Sequence, residues 1–544
     1  MKNYLYSIFE KASAKLPYLN DVKIAFDIPK NEDFGDYSSN AAMLLTKTQK
    51  RNPREIANEI ISNLDYSSDV ISKIEIAGPG FINFYFTTQY VTEIITSILE
   101  ENENYGRTKT NEGKKANVEF VSANPTGPLT VGHGRNAVLG DTVATMLEWT
   151  GYKVDREFYF NNAGNQMRKL GRSVKLRYLQ ILGDNIDFPV DKEHYQGEYI
   201  KDIAQELYNE FGDTLRDEPE LGKFKEKAEK VIFADIENTL KVLNINHDIF
   251  YNEKRLYDEG KIDSLLKTFK EKNLTYEQDG ALWLKLSEMG RDMNKVIIKS
   301  TGEPTYRLPD TAYHIVKIQK GYDLIVDVFG SDHIEEYKDV VAGLESLGYK
   351  TEHIKVILYQ FVTIKVGNEI QKMSTRKANY EKLEDLEKEV GKDVVRYFFN
   401  MRSSGTHMVF DIELAKKQTD ENPVFYLQYA HARISSIIRE AEKVELKFSR
   451  KNLNLLVAKE EQQLLKKLSK FKEEIENATE TLEPHKICTY LEETAAAFHK
   501  FYTFCRVIGV DQNLSEARLA LVTATRIILK NGLTILGLSA PERM

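Results

Sequence analysis

Ser122-Ala123-Asn124-Pro125-Thr126-Gly127-Pro128-Leu129-Thr130-Val131-Gly132-His133-Gly134-Arg135-Asn136 is the stretch on which the fold turns. Residues 117–121 before it form a short β-prone run. After it, Leu139, Val143, Met146 and Leu147 recur at helical spacing until Gly151 stops the pattern. Residues 153–160 then read as a second strand. Strand, loop, helix, strand opens a doubly wound nucleotide-binding fold, whose first loop offers free backbone N–H groups and a positive helix end to an anion. Gly127, Gly132 and Gly134 let the backbone approach a ligand, and His133 at the helix start can donate to a phosphate or ribose oxygen. Glycines and a histidine alone fit a tight structural loop with a capping histidine equally well.

Working outward, residues 324–329 and 355–366 are further pieces of the same sheet, and a polar, mostly helical insertion occupies about 176–273. Residues 1–110 mix an amphipathic helix, marked by Ile56, Ile60 and Ile61, with alternation over 73–86 around Gly78-Pro79-Gly80. From about 393 to 544 the pattern is almost wholly helical and predicts a bundle. The division is thus 1–110, an α+β domain; 111–392, a Rossmann-like α/β domain with its insertion; and 393–544, an α-helical domain. At 544 residues the chain is too long for one core, so about three domains agree with its length.

No apolar run approaches the ~18 residues of a membrane span, and the first ten residues lack a signal-peptide core, so a cytoplasmic location with no membrane partner is expected. The two cysteines, Cys488 and Cys505, lie on helical pattern and are expected to be buried small hydrophobes; two thiols also exclude a cysteine-rich zinc site. The net charge is −8, yet residues 420–544 hold 18 basic against 17 acidic side chains, so this end repels RNA least.

A second motif, Gln371-Lys372-Met373-Ser374-Thr375-Arg376-Lys377-Ala378-Asn379, follows a likely strand and sets three cations within six residues. Such cations can neutralise a triphosphate as charge moves onto leaving pyrophosphate. A solvated basic turn is the plain alternative.

Together the two motifs resemble the signatures of class I aminoacyl-tRNA synthetases, and the Ser122 to Pro128 lead-in is similar to the arginyl branch. The resemblance implies the class I synthetase architecture: a Rossmann-like catalytic domain, an N-terminal α+β domain that meets the tRNA body through residues such as 31–40, and a C-terminal anticodon-binding domain. Thr130 stands where the family has its first signature histidine. Thr375 stands at the second lysine of the Lys-Met-Ser-Lys-Ser motif, so Arg376 or Lys377 must supply that charge. The resemblance implies attachment of L-arginine to tRNA(Arg) through an arginyl-adenylate, with ATP and Mg2+ as the substrate complex, no structural metal, and a monomeric chain. The catalytic group is then Thr130, Gly132, His133, Lys372, Ser374, Arg376 and Lys377. ATP is met by Pro125, Gly127, Gly132, His133 and Met373.

A pocket selecting a guanidinium needs a carboxylate and an aromatic face. Tyr306 and Asp310, in the stretch 305–314, resemble the family's arginine-binding segment, as does the stretch 327–333. Arginine is accordingly assigned Ser122, Asn124, His133, Tyr306, Asp310 and His333. A helix cap for Asp310 and a core place for Tyr306 are the structural alternatives. The stretch 159–166 is also similar to family sequence, as a ribose or substrate contact or as a turn. Aromatics interleaved with His431 and Arg433 suit stacking of unpaired bases, and the resemblance assigns tRNA to Gln428, Tyr429, Arg433 and Met544. Two rival readings stand beside it: another enzyme on the same fold, such as a different class I synthetase or a small nucleotidyltransferase, and a non-catalytic RNA-binding relative, motivated by Thr130 and Thr375.

Overall fold

A computed structural model describes residues 1–29, 31–367, 369–371 and 382–544. Its centre is a five-stranded parallel sheet of β1 (Lys115–Glu119), β2 (Lys153–Phe160), β3 (Ile249–Asn252), β4 (Leu324–Gly330) and β5 (Ile354–Tyr359). The spatial order is β5-β4-β1-β2-β3. Val118 sits opposite Arg156 on one side and Val326 on the other, and Val328 opposite Ile357. The order reverses between β1 and β4, which opens a crevice at the carboxyl ends of those strands.

Helix α1 (Val131–Trp149) links β1 to β2, and α2 (Gly164–Ile181) leaves β2. Helices α3 (Arg307–Gln319) and α4 (Ile334–Ser346) flank β4. Fifteen of the α1 residues are buried, from Val131 to Trp149, because the helix lies between the sheet and the C-terminal elements. Gly140 lets it lie close: a Cβ there would meet Phe120 Cβ at 2.3 Å. Gly140→Ala gains ~1 kcal/mol of helix propensity, but overpacking at so short a distance costs about 1–3 kcal/mol. The midpoint of thermal unfolding is therefore expected to fall, which calorimetry reads directly.

Two expectations need correction. Residues 355–366 are not one strand: β5 ends at Tyr359, and Val362–Val366 joins a separate three-stranded sheet with Glu369–Gln371 and Met408–Asp411. The break is fixed by Arg135 of α1, whose Nη1 donates to the Gln360 and Thr406 carbonyls at 2.7 and 3.0 Å and whose Nη2 donates to Ser403 at 3.0 Å. The insertion is also bounded differently. Helix α2 begins at Gly164, and β3, inside 176–273, belongs to the main sheet, where Phe250 pairs with Phe158. Met408–Asp411 is the short strand in a stretch read as almost wholly helical.

The C-terminal region is built from α5 (Lys392–Asn400), α6 (Pro423–Lys443), α7 (His485–Phe504) and α8 (Gln512–Ile535), with shorter helices between α6 and α7. Cys488 and Cys505 are free and buried in it, as expected of small hydrophobes. The N-terminal sheet of Tyr37–Ser39, Ile71–Ala77 and Phe81–Phe86 leans on this bundle. There Tyr37 donates to Glu473 Oε2 at 2.6 Å, and Lys466 pairs with Asp36 at 2.8 Å.

Candidate active site

The chain leaves β1 through two successive left-handed residues, Val121 (φ +66°) and Ser122 (φ +43°). A β-branched residue adopts this conformation only when its surroundings impose it. Asn136 on α1 does so: its Oδ1 accepts the Val121 N–H at 2.6 Å while its Nδ2 donates to the Val328 carbonyl at 2.8 Å, tying the ends of β1 and β4. The turn aims Ser122 and Asn124 into the crevice. Ser122 Oγ donates to Glu119 Oε1 at 2.9 Å and accepts the Tyr159 N–H at 3.1 Å. Asn124 accepts the Asn161 N–H and donates to Gln166 Oε1, both at 2.9 Å. The 159–166 stretch thus serves as the loop's buttress.

At the start of α1 the Thr130 N–H donates to His133 Nδ1 at 3.1 Å. An accepting Nδ1 means a neutral ring with its proton on Nε2, and burial lowers the His133 pKa in the same sense. Thr130 therefore occupies the helix N-cap. Among the described residues a Cβ at Gly132 would meet only Thr130 Oγ1, at 3.7 Å. Tyr199 from the insertion donates to the Thr126 carbonyl at 2.7 Å and covers Gly127. Lys372, Met373, Ser374, Arg376 and Lys377 lie outside the described residues. Directly after them, Lys382 bridges Thr130 and Leu383 N donates to the Leu129 carbonyl at 2.9 Å.

The crevice holds a cavity of about 420 Å³ whose wall includes Ser122, Asn124, His133, Tyr306, Asp310 and His333. All six side chains assigned to arginine thus share one space. Pro125, Gly127, Thr130 and Gly132 stand beside it on the signature loop, outside its wall. Asp310 is in the first turn of α3 and makes no ion pair among the described residues. Burial, partly offset by His314 and reinforced by Glu119, Glu253 and Glu336, pushes its carboxyl up to about 7. Tyr306 is the α3 N-cap and stands 62% exposed at the rim. His333 Nδ1 lies 3.2 Å from Glu336 Oε2.

Sequence reasoning gave no role to Glu119, His314, Lys317 or Asp327. Lys317, fully buried, donates to Glu119 Oε2 at 2.5 Å and Asp327 Oδ1 at 2.7 Å. His314 Nε2 meets Asp327 Oδ2 at 2.9 Å. The available signal was a lone carboxylate in the apolar strand β4, together with Asp310, His314 and Lys317 at spacings of four and three on one helix face.

On the C-terminal bundle, Tyr429 is stacked between Phe425 and His499, with centroids 6.1 and 6.2 Å away. The Arg433 guanidinium lies 5.1 Å from the Tyr502 ring, and both line a groove of about 710 Å³ with Phe504 and Arg506. Gln428 is committed internally, donating to Asp393 Oδ2 at 2.8 Å and the Ser539 carbonyl at 3.1 Å. His431 Nδ1 donates to the Pro541 carbonyl at 2.8 Å, which lays the tail on α6 and leaves Met544 exposed.

Family models match along the chain: the arginyl tRNA synthetase N terminal domain at residues 3–86, the class I (R) tRNA synthetase catalytic domain at 94–422, and the DALR anticodon binding domain at 427–544. Arginine–tRNA ligases of Salinibacter ruber and Pelodictyon phaeoclathratiforme are each 46% identical, with full coverage of both chains. An arginyl-tRNA synthetase structure from Campylobacter jejuni superposes with a TM-score of 0.78 at 31% identity, covering 84% of this chain and 100% of that one. The Thermus thermophilus arginyl-tRNA synthetase has the same fold, with a TM-score of 0.78 at 21% identity and full coverage of both chains. Three domain matches and full-length identity agree, and the chain belongs to the arginyl-tRNA synthetases of class I.

Proposed function

We propose that the crevice cavity is where this synthetase joins arginine to ATP, with the guanidinium on Asp310 and the carboxylate directed toward His133. The family's activity is attachment of arginine to tRNA at the expense of ATP. The observation that carries the placement is Asp310: a buried carboxylate with neither an ion pair nor a side-chain hydrogen bond among the described residues, in the same cavity as a histidine at a helix N-terminus. A permanent cation with five donors answers that carboxylate, whereas a neutral analogue leaves it unpaired. Tyr306 covers the side chain, and Ser122 and Asn124 meet the α-amino and carboxylate groups.

The arginine carboxylate attacks the α-phosphorus of ATP, and the bond to the bridging oxygen breaks to release pyrophosphate. His133 Nε2–H and the first N–H groups of α1 donate to phosphate oxygens as charge builds there. Magnesium enters with ATP, held by phosphate oxygens. Lys372, Ser374 and Arg376 or Lys377 neutralise the leaving pyrophosphate, a role supported by the contact of Lys382 with Thr130. A terminal ribose hydroxyl of tRNA(Arg) then takes the arginyl group and releases AMP. Tyr429, Arg433 and Met544 receive the anticodon loop, with Gln428 fixing the helix that carries the first two. In this reading the chain acts as a cytoplasmic monomer, divided near residues 110 and 392.

Charging total tRNA with each of the twenty amino acids tests the activity: arginine alone is expected to be esterified, and acceptance of any other overturns the pocket. The pH dependence tests the carboxylate. Arginine binds the ionised form of Asp310, so its KM is expected to be flat above about pH 7 and to rise about tenfold per unit below it. A KM independent of pH between 6 and 8 counts against Asp310 as the partner.

A further inference from the structure

The chain leaves α7 in a way that turns one large apolar side chain toward solvent. Cys505 ends the helix in extended backbone (φ −117°, ψ 106°), with its N–H donating to the Phe501 carbonyl at 2.8 Å. Side chains of an extended run alternate between faces. Cys505 and Val507 turn inward, each 3% exposed, while Arg506 turns outward and Phe504 stands 69% exposed. The Arg506 carbonyl accepts from Arg518 Nη1 of α8 at 2.7 Å, which fixes the run in this register. The Phe504 ring is thus held outward before anything meets it.

The ring lines the groove of about 710 Å³ between α6 and the end of α7. Tyr502, in the same groove, is already engaged: the Arg433 guanidinium lies 5.1 Å from its ring and donates to its hydroxyl at 3.3 Å, and Phe498 is stacked on it at 6.0 Å. Phe504 has no ring or cation neighbour among the described residues, so it is the open stacking surface. Arg433 and Arg506 make no ion pair among those residues, whereas Glu440, which also lines the groove, pairs with Lys443 at 2.7 Å. Unpaired positive charge therefore stands beside an open aromatic face. An apolar partner would bury the guanidiniums without acceptors. A single-stranded nucleotide brings a flat base and a phosphate together and answers both. Arg433 is one helical turn from Tyr429, so the groove continues the Tyr429 face of α6. We propose that Phe504 is a stacking platform for one unpaired base of the tRNA anticodon loop, with Arg506 on the adjoining phosphate. The inference rests on the reading of Tyr429 and Arg433 as anticodon-loop contacts and adds a site beyond them.

The test is charging of tRNA(Arg) by the full-length enzyme at saturating arginine and ATP. Because the ring is exposed, truncating it empties no core space. Phe504→Ala is expected to raise KM for tRNA about tenfold or more, with KM for arginine and for ATP at their wild-type values. Phe504→Leu keeps apolar bulk without the π-face and is expected to lose as much, whereas Phe504→Trp is expected to match or improve on wild type. Salt separates the two contacts: Arg506→Gln is expected to reduce the slope of log KM against log salt by about 0.7, and Phe504→Ala to leave it unchanged. Transcripts with an abasic nucleotide at each anticodon-loop position in turn locate the base. One of them is expected to raise the wild-type KM by the factor seen for Phe504→Ala and to add nothing further in that variant. A tRNA KM unmoved by Phe504→Ala, a Phe504→Leu enzyme equal to wild type, or losses that add at every loop position overturns the proposal. Tyr429→Ala and Arg433→Gln separate the two levels. If neither raises KM for tRNA, the anticodon-loop reading of this face fails; if either does while Phe504→Ala does not, only the role of Phe504 fails.

Discussion

Asp310→Asn is expected to cut kcat/KM for arginine by about 10²–10³ or more, because truncating one partner of a buried charge pair costs on the order of 3–5 kcal/mol. The loss belongs to binding, so KM carries most of it and KM for ATP stays near its wild-type value. The same substitution is expected to stabilise the free protein, which separates a functional carboxylate from a structural one. The sign follows from linkage. A carboxyl raised from 3.8 to about 7 holds a proton in the folded chain that the unfolded chain has released, so folded stability declines as pH rises through that window. Asparagine carries no such proton. Above pH 7 the variant should therefore melt at a higher temperature than wild type while charging tRNA hardly at all. A variant that loses activity and stability together would make Asp310 a packing element instead.

The candidate site was legible in part in the sequence. The Asn124 to His133 run identifies a loop that feeds a helix, and the fold places it at the switch point between β1 and β4, where the order of strands requires a crevice. Asp310 and Tyr306 could be named because their stretch resembles the family's arginine-binding segment; their chemistry alone left a helix cap and a core place open. The layer beneath them could not be named, because Glu119 and Lys317 are 198 residues apart in sequence and meet only when β1 and α3 pack. The outer strand β3 escaped notice for a related reason. Four residues beside helices have no period of their own, and Ile249–Asn252 becomes a strand through pairing with β2. Thr130 shows the reverse case. Its replacement of a signature histidine reads as a gap in the catalytic set, whereas in three dimensions its N–H holds the His133 ring and fixes which nitrogen carries the proton.

Arg396→Met is expected to be the most destabilising single substitution, and its reason is wholly tertiary. The guanidinium is 1% exposed and joins three parts of the chain. Its Nη2 pairs with Asp141 of α1 at 2.6 Å, its Nε donates to the Leu536 carbonyl just past the end of α8 at 2.8 Å, and its Nη1 donates to the Leu243 carbonyl at 2.9 Å. Leu243 closes the insertion helix Lys225–Val242, so the cation serves two helix C-termini, where positive charge is favoured. Gly537, at φ +72°, passes so near that a Cβ would lie 2.3 Å from the guanidinium carbon. Methionine fills much of the volume but leaves Asp141 with only Arg156, at 3.4 Å, and two buried carbonyls without donors. Breaking such a pair costs about 3–5 kcal/mol, and a lysine at 396 recovers little because one compact ammonium does not match three divergent acceptors. Asp141 lies eight residues beyond His133 on the same helix, about 12 Å along its axis. Loosening it should therefore lower kcat at temperatures well below the melting point. Adding Asp141→Asn removes the stranded carboxylate and should restore part of the thermal midpoint, while leaving the two carbonyls unanswered. Calorimetry of wild type, both single variants and the double variant measures this coupling, and additive losses across the four proteins would mean that the Arg396–Asp141 contact does not tie α1 to the C-terminal bundle.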